Sequence, residues 1–254
     1  MDSDDPQGQT IRHEPRERGL EIATGNETTI EEVKALLERH VGPADSVFHE
    51  IVSDLVHLDV HIIDPSDKHP YFTLFTTGMS DRPMAVPEGA GAPLHAEIVS
   101  RVPADWVWLR DRKIEQDSPG YWVIRWMKTI ARLPHEFESW IGPGHTVPNG
   151  DPPEPFAPDT QLCCMFLWPT PLFPEDNPTQ LSDGRVVGFY EMLPIHRNEM
   201  AFKLQAGADE LIKLFGAANV PLVIKPDRPD AYLAAKQSLE ASQTKKRKKF
   251  LGLF

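Results

Sequence analysis

Between Leu133 and Phe156 the chain reads LPHEFESWIGPGHTVPNGDPPEPF, and no other stretch limits its fold as firmly. Proline removes a backbone donor and fixes φ, while glycine loosens the backbone. Pro134, Pro143, Pro148, Pro152, Pro153 and Pro155, with Gly142, Gly144 and Gly150, therefore exclude an ordinary helix or a central strand. A long connection of this kind is either functional or disordered. Phe137, Trp140 and Ile141 decide for order, because disordered segments are poor in large apolar residues. The expectation is a scaffold loop folded against the elements on both sides. Trp140 is its anchor, and His135, Glu136, His145 and Asn149 are its candidate polar contacts.

The flanks of this loop set the fold class. Upstream, Trp122, Trp126, Ile130 and Leu133 recur at helical spacing and predict a buried amphipathic helix over 121–133, stopped by Pro134. Downstream, 161–168 is a continuous apolar run that reads as a strand. Towards the N-terminus, Thr29 and Glu32 have capping-box spacing ahead of Val33, Leu36 and Leu37, which predicts a helix ended by Gly42-Pro43. Strands are expected over 47–53, 57–64, 71–77, 95–102 and 186–193, with a short closing strand at 220–224. Residues 194–215 read as two helical pieces broken at Gly207. Strands cluster and helices segregate among them, so the class is α+β: a single domain with a mostly antiparallel mixed sheet and flanking helices. Residues 1–28 are expected to be a disordered lead-in, 29–230 the folded domain, and 231–254 a flexible basic tail.

Charge narrows the partners. The formal net charge is −12, yet Lys245, Lys246, Arg247, Lys248 and Lys249 stand in a final stretch that holds no acid. Without those five the body has 21 basic against 38 acidic residues, a net −17. Such a body repels phosphate backbones and attracts basic partners, which argues against nucleic acid and for a basic protein. The tail Lys245–Phe254 joins the basic run to Phe250, Leu251, Leu253 and Phe254, a pattern suited to weak membrane contact as well as to a solvated tail. No run approaches the roughly 20 apolar residues of a membrane span, and the N-terminus lacks secretory order, so a cytoplasmic protein is expected. Cys163 and Cys164 are adjacent, too few for structural zinc and strained as a disulfide; one buried thiol with a chance neighbour is the expected reading.

Three groups of residues offer chemistry. Ser80, Asp81 and Arg82 follow a core strand in a turn opened by Gly78, a position that presents binding groups or simply satisfies itself through an Asp81–Arg82 pair. His57, Asp59 and His61 alternate with Leu58, Val60 and Ile62; they are weak metal candidates, and the solvated face of an edge strand is the preferred reading. His135, Glu136 and His145 suggest a metal-assisted hydrolase as the alternative function. However, HEFES lacks the second histidine one helical turn on, and no nucleophile elbow, P-loop or dinucleotide fingerprint occurs. A non-enzyme without a cofactor is expected.

Three segments taken together, FTLFTTGMSDRPM over 72–84, ARLPHEFESWIGPGHTVPNGDPPEPF over 131–156 and MLPIHRNEM over 192–200, resemble the Suppressor of fused (SUFU-like) domain family, in its bacterial branch. The resemblance extends over roughly Thr29 to Arg228. It implies an α+β domain without a catalytic role. In animals a similar domain forms the N-terminal half of a Hedgehog-pathway regulator that grips an extended peptide of a transcription factor between two domains, and this chain has no room for the second. The peptide-contacting residues of those proteins find no match in the loop 87–93. For bacterial members the resemblance implies immunity proteins against polymorphic toxins. The partner-binding candidates remain Ser80, Asp81, Arg82, His135, Glu136, Trp140, His145 and Asn149.

Overall fold

The computed structural model describes residues 18–50, 53–111, 118 and 120–251, with side chains described as far as residue 241. The polypeptide forms α1 (Glu27–His40), β1 (Ala44–Phe48), β2 (Asp59–Ile63), β3 (Tyr71–Thr77), β4 (His95–Pro103), α2 (Val107–Arg110) and α3 (Trp122–Glu136). It continues through β5 (Thr146–Pro148), β6 (Leu162–Pro169), β7 (Thr179–Gln180), β8 (Val186–His196), α4 (Arg197–Ala206), α5 (Ala208–Ala218) and α6 (Ala231–Leu251). All eight strands lie in one sheet ordered β1-β2-β3-β4-β8-β6-β5, with β7 added on β8. Every pairing is antiparallel except β4 with β8. This is the α+β class that the clustering of strands predicts.

Helices and loops cover both faces of the sheet. On one face Val60, Ile62, Leu74, Ile98, Met192 and Leu167 pack against Val123, Met127 and Ile130 of α3. On the other, Ile63, Phe75, Val99 and Phe189 meet Val33, Leu36 and Leu37 of α1. Farther along that second face, Phe166 and Ile195 pack against Leu211 and Phe215 of α5. Burying side chains of this size contributes on the order of 1.5–3 kcal/mol each. Covering both faces also corrects the reading of β2. Asp59 and His61 alternate with apolar neighbours, yet both are buried: His61 stacks on Phe75, in the cluster that α1 covers, and Asp59 is met by His49 and His57.

Several boundaries move for local reasons. The first helix is capped by Asn26, whose side chain accepts from Thr29 N at 3.2 Å, and Glu32 accepts instead from Ser182 N at 3.0 Å. Pro134 lies inside α3 rather than ending it. Proline's φ suits a helix, and its missing donor costs one bond in the last turn. The proline-rich loop contributes the edge strand β5, where Pro148 is tolerated because no further strand pairs beyond it. Strand β8 runs through Pro194 to His196, and Glu199 accepts from His196 N at 2.8 Å to start α4. Gly207 at φ +93° separates α4 from α5, as the sequence suggests. The proposed strand at 220–224 is a single bridge of Val223 to Arg101.

Of the lead-in, residues 1–17 lie outside the described residues. Residues 18–26 lie as an extended arm along the segment 53–55, with Ala23 N donating to Ser53 O at 3.1 Å and Leu55 N to Glu21 O at 2.9 Å. In the tail, α6 is helical to Leu251; residues 252–254 and the side chains of the basic run at 245–249 lie outside what is described. Cys163 and Cys164 are both buried and unbridged, and burial pushes both thiols above their ordinary range.

Candidate partner-binding surface

The C-terminal end of α3, the turn after β3 and the arm 18–26 meet around a concavity of about 720 Å³. A smaller one of about 360 Å³ adjoins it and shares Leu55 and Arg82. Gly78 makes the turn possible. At φ +99° it packs so closely on the preceding chain that a Cβ there would stand 1.7 Å from His57 O. Leu55, buried and also in the left-handed region at φ +67°, takes part in both concavities.

The arm is held by charge. Arg18 reaches Asp54 at 2.8 Å and Glu136 at 2.6 Å, and Arg82 pairs with Glu21. Asp54 is held down at about 2, first by its hydrogen bond from Arg18. Asn26 N donates to Asp81 Oδ2 at 3.2 Å, while Arg185 Nη1 stands 3.9 Å from Asp81 Oδ1. Asp81 and Arg82 therefore face different partners, which replaces the expected Asp81–Arg82 pair.

The candidates named from sequence divide into two groups. Asp81, Arg82 and His135 line the concavities, and Glu136 stands at the edge through Arg18. His135 donates to Met79 O at 3.0 Å and is kept neutral, its pKa lowered to about 4 by burial. Ser80 is wholly buried; its N–H and hydroxyl both donate to Glu97 Oε1, at 3.0 and 2.7 Å. Glu97, with Thr76 Oγ1 donating to it at 2.6 Å, is pushed up to about 7 by burial.

Trp140, His145 and Asn149 lie elsewhere, in the proline-rich loop. Trp140 is buried in the core, with the His145 ring edge-on at 4.3 Å between centroids, and burial lowers His145 to about 4. Asn149 Nδ2 donates to Glu154 O at 2.8 Å and Pro155 O at 3.1 Å, closing the turn before Phe156. His135 bonds to Met79 O, Glu136 to Arg18, and the His145 ring packs on Trp140, so the three do not converge on one point and the hydrolase arrangement is not assembled. The two neighbouring concavities also use residues that sequence reading missed: Leu55, the arm and Pro83–Ala85. No periodicity marks them, because backbone pairing and a turn bring them together.

The metal candidates also divide. His61 Nε2 is 3.0 Å from Thr77 Oγ1, and its ring stacks on Phe75 at 4.9 Å. Its neutrality, with the pKa lowered to about 4 by burial, fits that interior position. His57 and Asp59 stay together and are joined by His49 in place of His61. Among the described residues no helix is long and apolar enough to cross a membrane.

Comparison with known proteins bears on the whole arrangement. Residues 54–229 match the family model described as Suppressor of fused protein (SUFU). A chain of the Sufu–Fu complex crystal structure superposes with a TM-score of 0.62 at 10% identity, covering 84% of this chain and 96% of that one. A SUFU homolog from Neisseria gonorrhoeae superposes with a TM-score of 0.57 at 15% identity, covering 80% and 96%. Drosophila Suppressor of Fused gives 0.60 at 10% identity over 86% of this chain, which spans 54% of that longer one. At these identities the likeness establishes the fold. No curated protein sequence matches.

Proposed function

Since this chain belongs to the Suppressor of fused family, we propose that it is a non-catalytic protein-binding module whose partner docks over the concavity between the arm, the turn after β3 and the end of α3. The observation that carries this reading is the make-up of that surface. Leu55, Pro83, Met84 and Pro134 supply an apolar floor, and around it Glu21, Asp54, Asp81, Glu136 and Glu138 outnumber Arg18, Arg82 and Arg185. An apolar centre within a charged rim is how protein interfaces are built, and an acidic excess favours encounter with a basic partner. Leu20 and Ile22, both exposed on the arm, extend the apolar area. The Sufu of the first structural relative is seen in complex with Fu, which supports a protein as partner.

In its specific form the reading makes this an immunity protein that acts in the cytoplasm, with 29–230 as its working domain, and neutralises a basic toxin. The net −17 of residues 1–244 supports that form, because it steers a cationic protein and opposes phosphate. The test is co-expression with each basic protein encoded beside this gene. One is expected to co-purify, with affinity that falls as salt rises and drops at least tenfold in Leu20→Lys or Glu138→Lys but not in Glu210→Lys. A salt-insensitive complex, or none with any neighbour, overturns the proposal.

A further inference from the structure

Strand β1 ends at Phe48, which pairs with Val60, so His49 and Asp59 stand at the open end of that ladder. His49 Nδ1 is 3.0 Å from Asp59 Oδ2, and His57 Nε2 is 3.3 Å from Asp59 Oδ1. One ligand atom from each of the three residues lies within 4.8 Å of the others. The Asp59 side chain is only 3% exposed; the nearby Lys128 interacts with it electrostatically but forms its ion pair with Glu50, at 3.7 Å. Its Oδ1 is buried without a hydrogen-bond partner.

The surrounding bonds bear on which His57 nitrogen is free to bind. Ser53 Oγ donates to Glu50 Oε2 at 3.1 Å, and Glu50 is in turn paired with Arg132 at 2.6 Å. A hydroxyl has one proton, so while Ser53 Oγ donates to Glu50 its 2.8 Å contact with His57 Nδ1 is one in which it accepts. In that tautomer the Nε2 lone pair of His57 faces Asp59 Oδ1, which has no hydrogen-bond partner. Two lone pairs facing each other in a buried site repel unless a cation lies between them. The alternative is an imidazolium at His57.

We infer that His49, His57 and Asp59 bind a zinc-type divalent cation. Two imidazoles and a carboxylate suit a borderline metal; ligand atoms at about 2.0–2.1 Å around a tetrahedral zinc stand roughly 3.3 Å apart, so the three groups, with one ligand atom each inside 4.8 Å, need to close by little more than an ångström. Three protein ligands leave a fourth position, and the 65% exposed His49 puts it at the solvent side. The chain Ser53–Glu50–Arg132 is the outer shell that orients His57. Such a metal joins the end of β1 to the start of β2, next to Leu55 and the backbone at 53–55 that pairs with the arm. The inference does not depend on the identity of any protein partner.

The experiment is zinc titration of the tag-free, chelator-stripped full chain against a chromophoric competitor, with melting followed in parallel. One zinc per chain and a raised melting temperature are expected. His49→Ala, at an exposed position, keeps the fold but loses at least tenfold in zinc affinity along with the melting shift. His69→Ala keeps both. Absence of stoichiometric zinc, which leaves the imidazolium pair, overturns the assignment; so does wild-type affinity in His49→Ala, or an equal loss in His69→Ala.

Discussion

The Arg228 guanidinium holds the Glu199 carboxylate with both prongs, at 2.6 and 2.5 Å, and neither side chain is more than 4% exposed. Glu199 also accepts from His196 N and Ala231 N, each at 2.8 Å, and Arg228 Nη2 donates to Pro194 O at 3.1 Å. The pair therefore ties the end of β8, the start of α4 and the start of α6 into one unit. Removing one partner leaves the other charge buried and alone. Arg228→Met is expected to cost about 3–5 kcal/mol, and adding Glu199→Leu to return part of it. Urea unfolding of the two variants checks this; additive losses would show that the groups do not act as a pair.

Glu97 makes stability fall as pH rises. Its folded pKa, about 7, exceeds the ordinary 4.5, so the folded state keeps a proton that the unfolded state has lost across that window. The burial penalty is complete above pH 7 and corresponds to about 3 kcal/mol. Glu97→Gln should gain on the wild type between pH 5 and 8 by an amount of that order. Parallel stability curves across the window would refute the assignment.

His61, His135 and His145 act in the opposite direction. Each is held neutral with a pKa of about 4, below its ordinary 6.5, so the unfolded state takes up protons first. Stability from these groups is full above pH 6.5 and is lost as pH falls towards 4. His145→Phe should reduce the acid slope by about one proton, read from urea midpoints between pH 4.5 and 7. An unchanged slope would place that proton uptake elsewhere.

Gly78→Ala is expected to cost at least about 2 kcal/mol, because the added carbon meets His57 O at 1.7 Å in a conformation that L residues rarely adopt. Gly184→Ala is the control. It has a similar φ of +88° with open space around it, so its loss is expected to be smaller. Equal losses at the two sites would mean that backbone strain alone, and not the close approach to His57, sets the cost.

The segment around Trp140 shows how far residues alone could be read. Beyond Glu136 its prolines and glycines excluded a helix, although Pro134 itself lies inside α3; its aromatic residues required order, and Trp140 is buried as that reasoning demands. Fold class was legible for the same reason: apolar spacing is a local property, so α1, α3, β3, β4, β6 and β8 each announce themselves. The alternation in β2 misled, since period two says which residues share a face but not that α1 covers it. Only the tertiary structure decided that Asp81 faces Asn26 rather than Arg82, that His49 replaces His61 beside Asp59, and that the arm pairs with 53–55. Those relationships join residues 10 to 55 positions apart, and no local propensity encodes which distant segment will fill a given surface.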